Sequence, residues 1–182
     1  ELAISCFPAA IENDNLANAT PISCGNSYLG NTSAATIDEI GAPDIATIEA
    51  DTPADNDSPN VWFSLIGTGN IVTLSTCATT NFDSEILVFT GTSGNLTLID
   101  DGYDECSNVT YEAETSFTSV LGTQYLISVE GWNVDDTGTF ELSVDCPIPP
   151  SVTYTYDGSW DTDPNGVATY NYNIIVVYSD AK

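Results

Sequence analysis

The chain has 182 residues, of which 27 are Asp or Glu, one is Lys and none is Arg or His, giving a formal net charge of -26. A surface of this sign repels phosphate backbones, which excludes nucleic acid as a partner, because such binding uses Lys and Arg to displace condensed counterions. Without His there is no Ser-His-Asp or Cys-His couple and no His-ligated zinc, so the available chemistry is that of carboxylate and amide oxygens, which suit hard cations and above all calcium.

Disordered acidic tails share the charge but lack the 42% hydrophobic and 10% aromatic content found here, which supplies a core. β-branched and aromatic residues dominate, so the fold class is all-β. The longest apolar run, Ile174 to Tyr178, is far shorter than the roughly 20 residues of a membrane helix. There is no initiator Met and no signal-like segment, and both ends read as cuts in a longer chain.

In chain order, Glu1-Leu2-Ala3-Ile4-Ser5-Cys6 repeats the pattern of Glu141-Leu142-Ser143-Val144-Asp145-Cys146. The repetition predicts that residues 1–6 are the last strand of a preceding repeat and residues 7–146 one complete copy. Glu12, Asn13 and Asp14 place oxygen donors on three consecutive residues. Calcium takes six to eight oxygens, so a second loop must contribute, and Asp55 and Asp57, flanking Asn56, are the expected partners. The stretch Ser33 to Asn60, rich in Asp, Glu and Pro without periodicity, is expected to be a long surface excursion.

Strands are predicted at Val61 to Ile66, Ile71 to Cys77, Glu85 to Thr90, Asn95 to Ile99, Asn108 to Glu112, Gln124 to Glu130 and Thr139 to Asp145, separated by Gly-, Asn- and Asp-rich turns. Their short, even spacing is that of a sandwich, with one core face and one wet face per strand. Trp62 is a core residue on this reading. Asp100, Asp101 and Asp104, with Glu105, form a second and weaker metal candidate on a turn around Gly102. Trp132, followed by Asn133 and Asp135-Asp136, is a candidate for stacking on a sugar face with Asp135 as a polar contact, the alternative being a ring folded back on the sandwich. No Asp or Glu sits in an apolar stretch that would raise its pKa for acid catalysis, so no enzyme is expected.

The five Cys lack CxxC spacing. They predict disulfides Cys77 to Cys106 and Cys24 to Cys146, the second tying the ends of one copy together, with Cys6 left to the preceding copy; disulfides imply an oxidising, secreted or cell-surface location. Pro147-Ile148-Pro149-Pro150 is a stiff linker. Residues 151–182 carry strand patterns at Val152 to Tyr156 and Tyr170 to Tyr178 around the turn-rich Trp160 to Gly166. Too short to bury a core alone, they are expected to begin a further β module or to be a tail packed in an assembly.

Residues 12–146 also resemble the bacterial pre-peptidase C-terminal (PPC) domain family, in a variant found in repeat-containing surface proteins of marine Bacteroidetes. The resemblance rests on Glu12-Asn13-Asp14, Asn60-Val61-Trp62-Phe63, Val72 to Cys77, Asn81 to Phe89, Asp100-Asp101-Gly102, Gly122 to Val129 and Gly138 to Val144. It implies a jelly-roll-like antiparallel β-sandwich, non-catalytic, appended to secreted enzymes or strung in adhesins. In the collagen-binding branch it implies calcium stabilisation through the N-terminal acidic motif; the Pro usual within that motif is absent here, and collagen binding is not implied. Asp157-Gly158-Ser159-Trp160 resembles the opening of a different module found downstream in such proteins. The expected function is a non-catalytic, calcium-stabilised repeat of a secreted or cell-surface bacterial protein, acting as adhesin, spacer or extracellular fibre unit. Its partners would be neighbouring copies or modules. The alternative is an accessory glycan- or protein-binding domain of a secreted hydrolase.

Overall fold

Nearly every alternating segment closed by turn residues becomes a strand. A computed structural model describes residues 11–38, 58–106, 111–147, 151–162, 164–166 and 168–179. After a short 3-10 turn at Leu16–Asn18 come β1 (Thr20–Ile22), β2 (Asn26–Asn31), β3 (Val61–Ile66), β4 (Ile71–Ser75), β5 (Ser84–Thr92), β6 (Asn95–Gly102), β7 (Glu114–Thr118), β8 (Gln124–Gly131), β9 (Thr139–Asp145), β10 (Ser151–Thr162) and β11 (Ala168–Ser179). One sheet has the order β1-β3-β8-β5-β6 and another the order β2-β9-β4-β7. The chain changes sheet at almost every connection, and among β1 to β9 only β5 and β6 form a hairpin.

The two sheets enclose one core. Val61, Phe63 and Leu65 of β3, Ile86 and Val88 of β5, and Ile127 and Val129 of β8 face Val72 and Leu74 of β4, Phe117 of β7, and Phe140, Leu142 and Val144 of β9. In β9 the expected alternation is plain: Phe140, Leu142 and Val144 are buried, while Thr139, Ser143 and Asp145 are exposed. Gly30 lies opposite Phe140, whose ring occupies the space that a Cβ at position 30 would need.

The one-face rule fails for β5 and β8, which are buried on both faces. Trp62, Leu87, Phe89, Leu96 and Leu126, on the outer face of the five-stranded sheet, form a second apolar cluster closed by Leu16. The N-terminal segment is therefore a third layer, and the physical reason is the apolar content of that outer face, which water would otherwise contact.

The sandwich is antiparallel as expected except at one edge, where the three-residue β1 runs parallel to β3. The strand expected at 108–112 falls largely outside the described residues. Tyr111 and Glu112 are not in a strand, and β7 begins at Glu114. Tyr111 has φ 128°, which breaks the extended run, and the Glu112 carboxylate is held by the Ala78 N–H at 2.7 Å. The described ends of the Ser33 to Asn60 stretch are anchored, with Asp38, Ser58 and Asn60 buried, and residues 39–57 lie outside the described residues. Residues 1–6, Cys6 among them, and the linker residues 148–150 lie outside the described residues.

The chain divides into two compact units, Glu1–Cys146 and Pro147–Lys182. In the second, β10 and β11 pair antiparallel over twelve residues each, from Ser151 opposite Ser179 to Thr162 opposite Ala168. Both strands are longer than the sequence patterns suggest, and Gly166, in the connection between them, has φ 79°.

Candidate functional site

The N-terminal acidic segment is built into the third layer. Asn13 clasps the backbone of Trp62 from both sides: its carbonyl accepts from Trp62 N at 2.9 Å and its side-chain amide donates to Trp62 O at 2.9 Å. Asp14 accepts the Thr36 N–H at 2.5 Å and the Thr36 hydroxyl at 3.0 Å. Glu12 is exposed. Asp55 and Asp57 lie outside the described residues.

Asp38, which no sequence motif marks, is where this layer is fastened. Its carboxylate accepts from Leu16 N at 2.6 Å and its carbonyl accepts from the Trp62 indole N–H at 3.1 Å. Asn60 accepts from Asp38 N at 2.9 Å and donates to Ser128 Oγ at 3.0 Å, and Ser128 in turn donates to Glu130 Oε2 at 2.9 Å. Buried polar groups persist only when bonded in this way. One signal was available: Asn60, Trp62 and Ser128 occupy outer-face positions of β3, the residue before it, and β8, where polar residues need partners.

Glu130 ends that chain in an unexpected setting. It lies directly opposite Glu85 in the β5–β8 ladder, and both side chains are almost completely buried. Alternation alone would leave this outer face wet, and the burial of both carboxylates is what the sequence pattern did not show.

The second acidic cluster is rearranged. Asp100 and Asp101 are not on a turn; they are consecutive residues of β6, opposite Val88 and Leu87, and consecutive strand residues face opposite sides of a sheet. Asp100 accepts from the Thr115 hydroxyl at 2.9 Å. Asp104 instead joins Asp83 and Asp136. Burial first, then the charges of Asp104 and Asp136, push the Asp83 carboxyl up to about 6. Glu105 is also raised, chiefly by burial. Asp83, Glu112 and Asp136 line an open groove of about 390 Å³ with Phe82 and Tyr111.

Trp132 is half-buried and packs on Tyr103, ring centroids 5.3 Å apart and planes at 44°. Asp135 is exposed beside it, and the turn is closed by Asn133, whose side-chain amide donates to Asp136 at 2.8 Å.

Cys24 is bridged to Cys146 and Cys77 to Cys106. Among the described residues, the group of three His, Cys, Asp or Glu donor atoms mutually within 4.8 Å is Cys77, Cys106 and Glu112, where the sulfurs are bonded to each other and offer no thiolate. No described helix is long and apolar enough to cross a membrane.

No protein-family model and no curated protein matches the sequence. Among solved structures, the chain is similar to the pre-peptidase C-terminal domain of a collagenase from Bacillus anthracis, at 14% identity and TM-score 0.40, over 70% of this chain and 94% of that one. It is also similar to CorA, a surface-associated copper-binding protein of Methylomicrobium album BG8, at 12% identity and TM-score 0.47, over 71% of this chain and 98% of that one. At these TM-scores, function is inferred from this chain's own residues.

Proposed function

We propose that the chain is a non-catalytic, calcium-stabilised β-sandwich repeat of a secreted or cell-surface protein, working as an adhesive, spacer or fibre module. One observation carries the calcium reading: residues 13 and 14 bond to both flanks of the acidic 39–57 stretch. Asp14 binds Thr36 before it, Asn13 binds Trp62 after it, and Asn60 N donates to Thr36 O at 3.3 Å. Asp57 immediately precedes Ser58 and Asp55 stands three residues before it, so both belong to the stretch whose two flanks are held. The donor set is hard oxygen throughout, and the chain's single Lys leaves no surplus of cationic side chains to neutralise it.

The two disulfides fit an oxidising compartment, and the net charge of -26 keeps such a surface soluble in salt. The test is thermal melting of the whole chain with calcium and with excess chelator, alongside Asp14→Asn and Asp55→Asn/Asp57→Asn. Calcium should raise the melting temperature of the native chain by mass action and leave the variants little changed. Equal melting with and without chelator, with metal analysis confirming removal, would refute the calcium reading.

The second reading, an accessory module that binds glycan or protein beside a secreted hydrolase, draws on the half-exposed Trp132 with Tyr103 and Asp135 at one edge. Retention of wild-type carbohydrate-array binding by Trp132→Ala would remove it.

A further inference from the structure

The β10–β11 ribbon, taken by itself, has an uneven distribution of residues over its two faces. Positions directly opposite in an antiparallel ladder share a face, and alternate positions share it along each strand. The register therefore puts Val152, Tyr154, Tyr156 and Trp160 on one face with Tyr170, Tyr172, Ile174, Val176 and Tyr178. Six of these are aromatic, and the remaining positions of that face are Gly158, Thr162 and Ala168, so it has no charged residue. Asp157 and Asp161 belong to the other face, among Ser, Thr and Asn with Ile175 and Val177. A two-stranded ribbon has no third strand and no opposing layer of its own, and alone it is marginal in water.

We propose that this face pairs with the same face of a second copy of the chain. Charge selects that occupant. Two molecules of charge -26 repel over most of their surface, and a carboxylate-free window is where they can meet without desolvating like charges. Area points the same way: aromatic side chains carry the largest buriable areas, and six of them on one face supply a substantial part of the roughly 800 Å² per partner of a standard stable interface. A face without charge also meets its own copy across a two-fold axis without opposing like charges. The pairing deepens the fibre reading above and rests on it only for the assembly's role. A monomeric chain would overturn the pairing and leave the calcium-stabilised sandwich untouched.

The test is sedimentation of the full chain at micromolar to tens-of-micromolar concentration, at low and high salt. A dimer is expected, strengthened by salt because screening weakens repulsion between the acidic bodies. Ile174→Asp puts a carboxylate on the neutral face and should weaken dimerisation at least about tenfold. Ile175→Asp makes the same change on the opposite face and should leave it intact. A monomeric native chain overturns the proposal, as does a dimer that survives Ile174→Asp. Should both variants dissociate through loss of the ribbon, dityrosine photo-crosslinking of a mixture of ordinary and heavy-isotope native chain decides. Mixed-isotope links among Tyr154, Tyr156, Tyr170, Tyr172 and Tyr178 support the pairing, and links confined to single chains overturn it.

Discussion

Removing the two disulfides separately should cost unequal amounts, and the inequality follows from where they sit. Cys24 and Cys146 are 122 residues apart, and Cys77 and Cys106 are 29 apart. Loop-closure entropy then assigns the first bridge about 5 kcal/mol and the second about 3.6 kcal/mol at 25 °C. The long bridge also lies beside the β2–β9 ladder, where Gly25 N donates to Val144 O at 2.7 Å, and so locks the edge strand β2 to its neighbour. Cys146 is buried in the main core, so truncation there adds a cavity cost, whereas Cys77 and Cys106 are half-exposed. Cys24→Ala/Cys146→Ala should therefore lose at least about 1 kcal/mol more than Cys77→Ala/Cys106→Ala. Urea unfolding followed by near-ultraviolet circular dichroism, with calcium held constant, measures both. An equal or larger loss for the Cys77 pair would show that local strain or residual denatured-state structure, and not loop length, sets the stabilisation.

Asp83, raised from 3.8 to about 6 by burial, Asp104 and Asp136, makes the folded chain bind more protons than the unfolded one across that window. Its contribution to stability is therefore lost as pH rises through it. Asp83→Asn should flatten that part of the pH profile and gain no more than about 1 kcal/mol at neutral pH, because the group is partly solvated. Asn60→Ala should cost about 3 kcal/mol or more, since it strips bonds from Asp38 and Ser128 in a buried network, and hydrogen exchange at Asp38 should accelerate well beyond that at Val144. Gly30→Ala drives a Cβ into the Phe140 ring and should cost about 1–3 kcal/mol. A double-mutant cycle with Phe140→Leu should recover part of that loss, and strict additivity of the two changes would discount the clash.

The sandwich was legible because its alternation is local: Phe140, Leu142 and Val144 announce the buried face of β9 without knowledge of any other strand. What could not be read was the third layer, which depends on residues distant in sequence. Leu16 closes a cluster with Trp62 and Phe89 on the same outer face where Glu85 and Glu130 are buried. The acidic groups failed for the same reason. Adjacency in sequence grouped Asp100 with Asp101, which a strand sends to opposite faces. The fold instead brings Asp104 to Asp83 and Asp136 from separate loops. β1, at three residues, was too short to show as a strand or to reveal its parallel pairing with β3.

A chain without Arg or His has to arrange its buried polarity differently from most proteins. Carboxylates placed inside cannot be matched by guanidinium forks, so they are matched by neutral donors: Asp38 by the Leu16 amide, Glu112 by the Ala78 amide, Asp100 by the Thr115 hydroxyl and Glu130 by Ser128. Such bonds orient the carboxylate without cancelling its charge, and each leaves lone pairs still able to accept. The electrostatic cost of adding further acidic residues therefore accumulates across the molecule, and only external species, meaning dissolved salt and bound cations, can offset it. Stability in such a chain should rise with ionic strength through general screening, and rise further with calcium at the same ionic strength wherever a cation is specifically held. The two effects separate experimentally, because screening responds alike to sodium and to an equivalent ionic strength of a large organic cation, whereas a coordinated site responds to calcium alone.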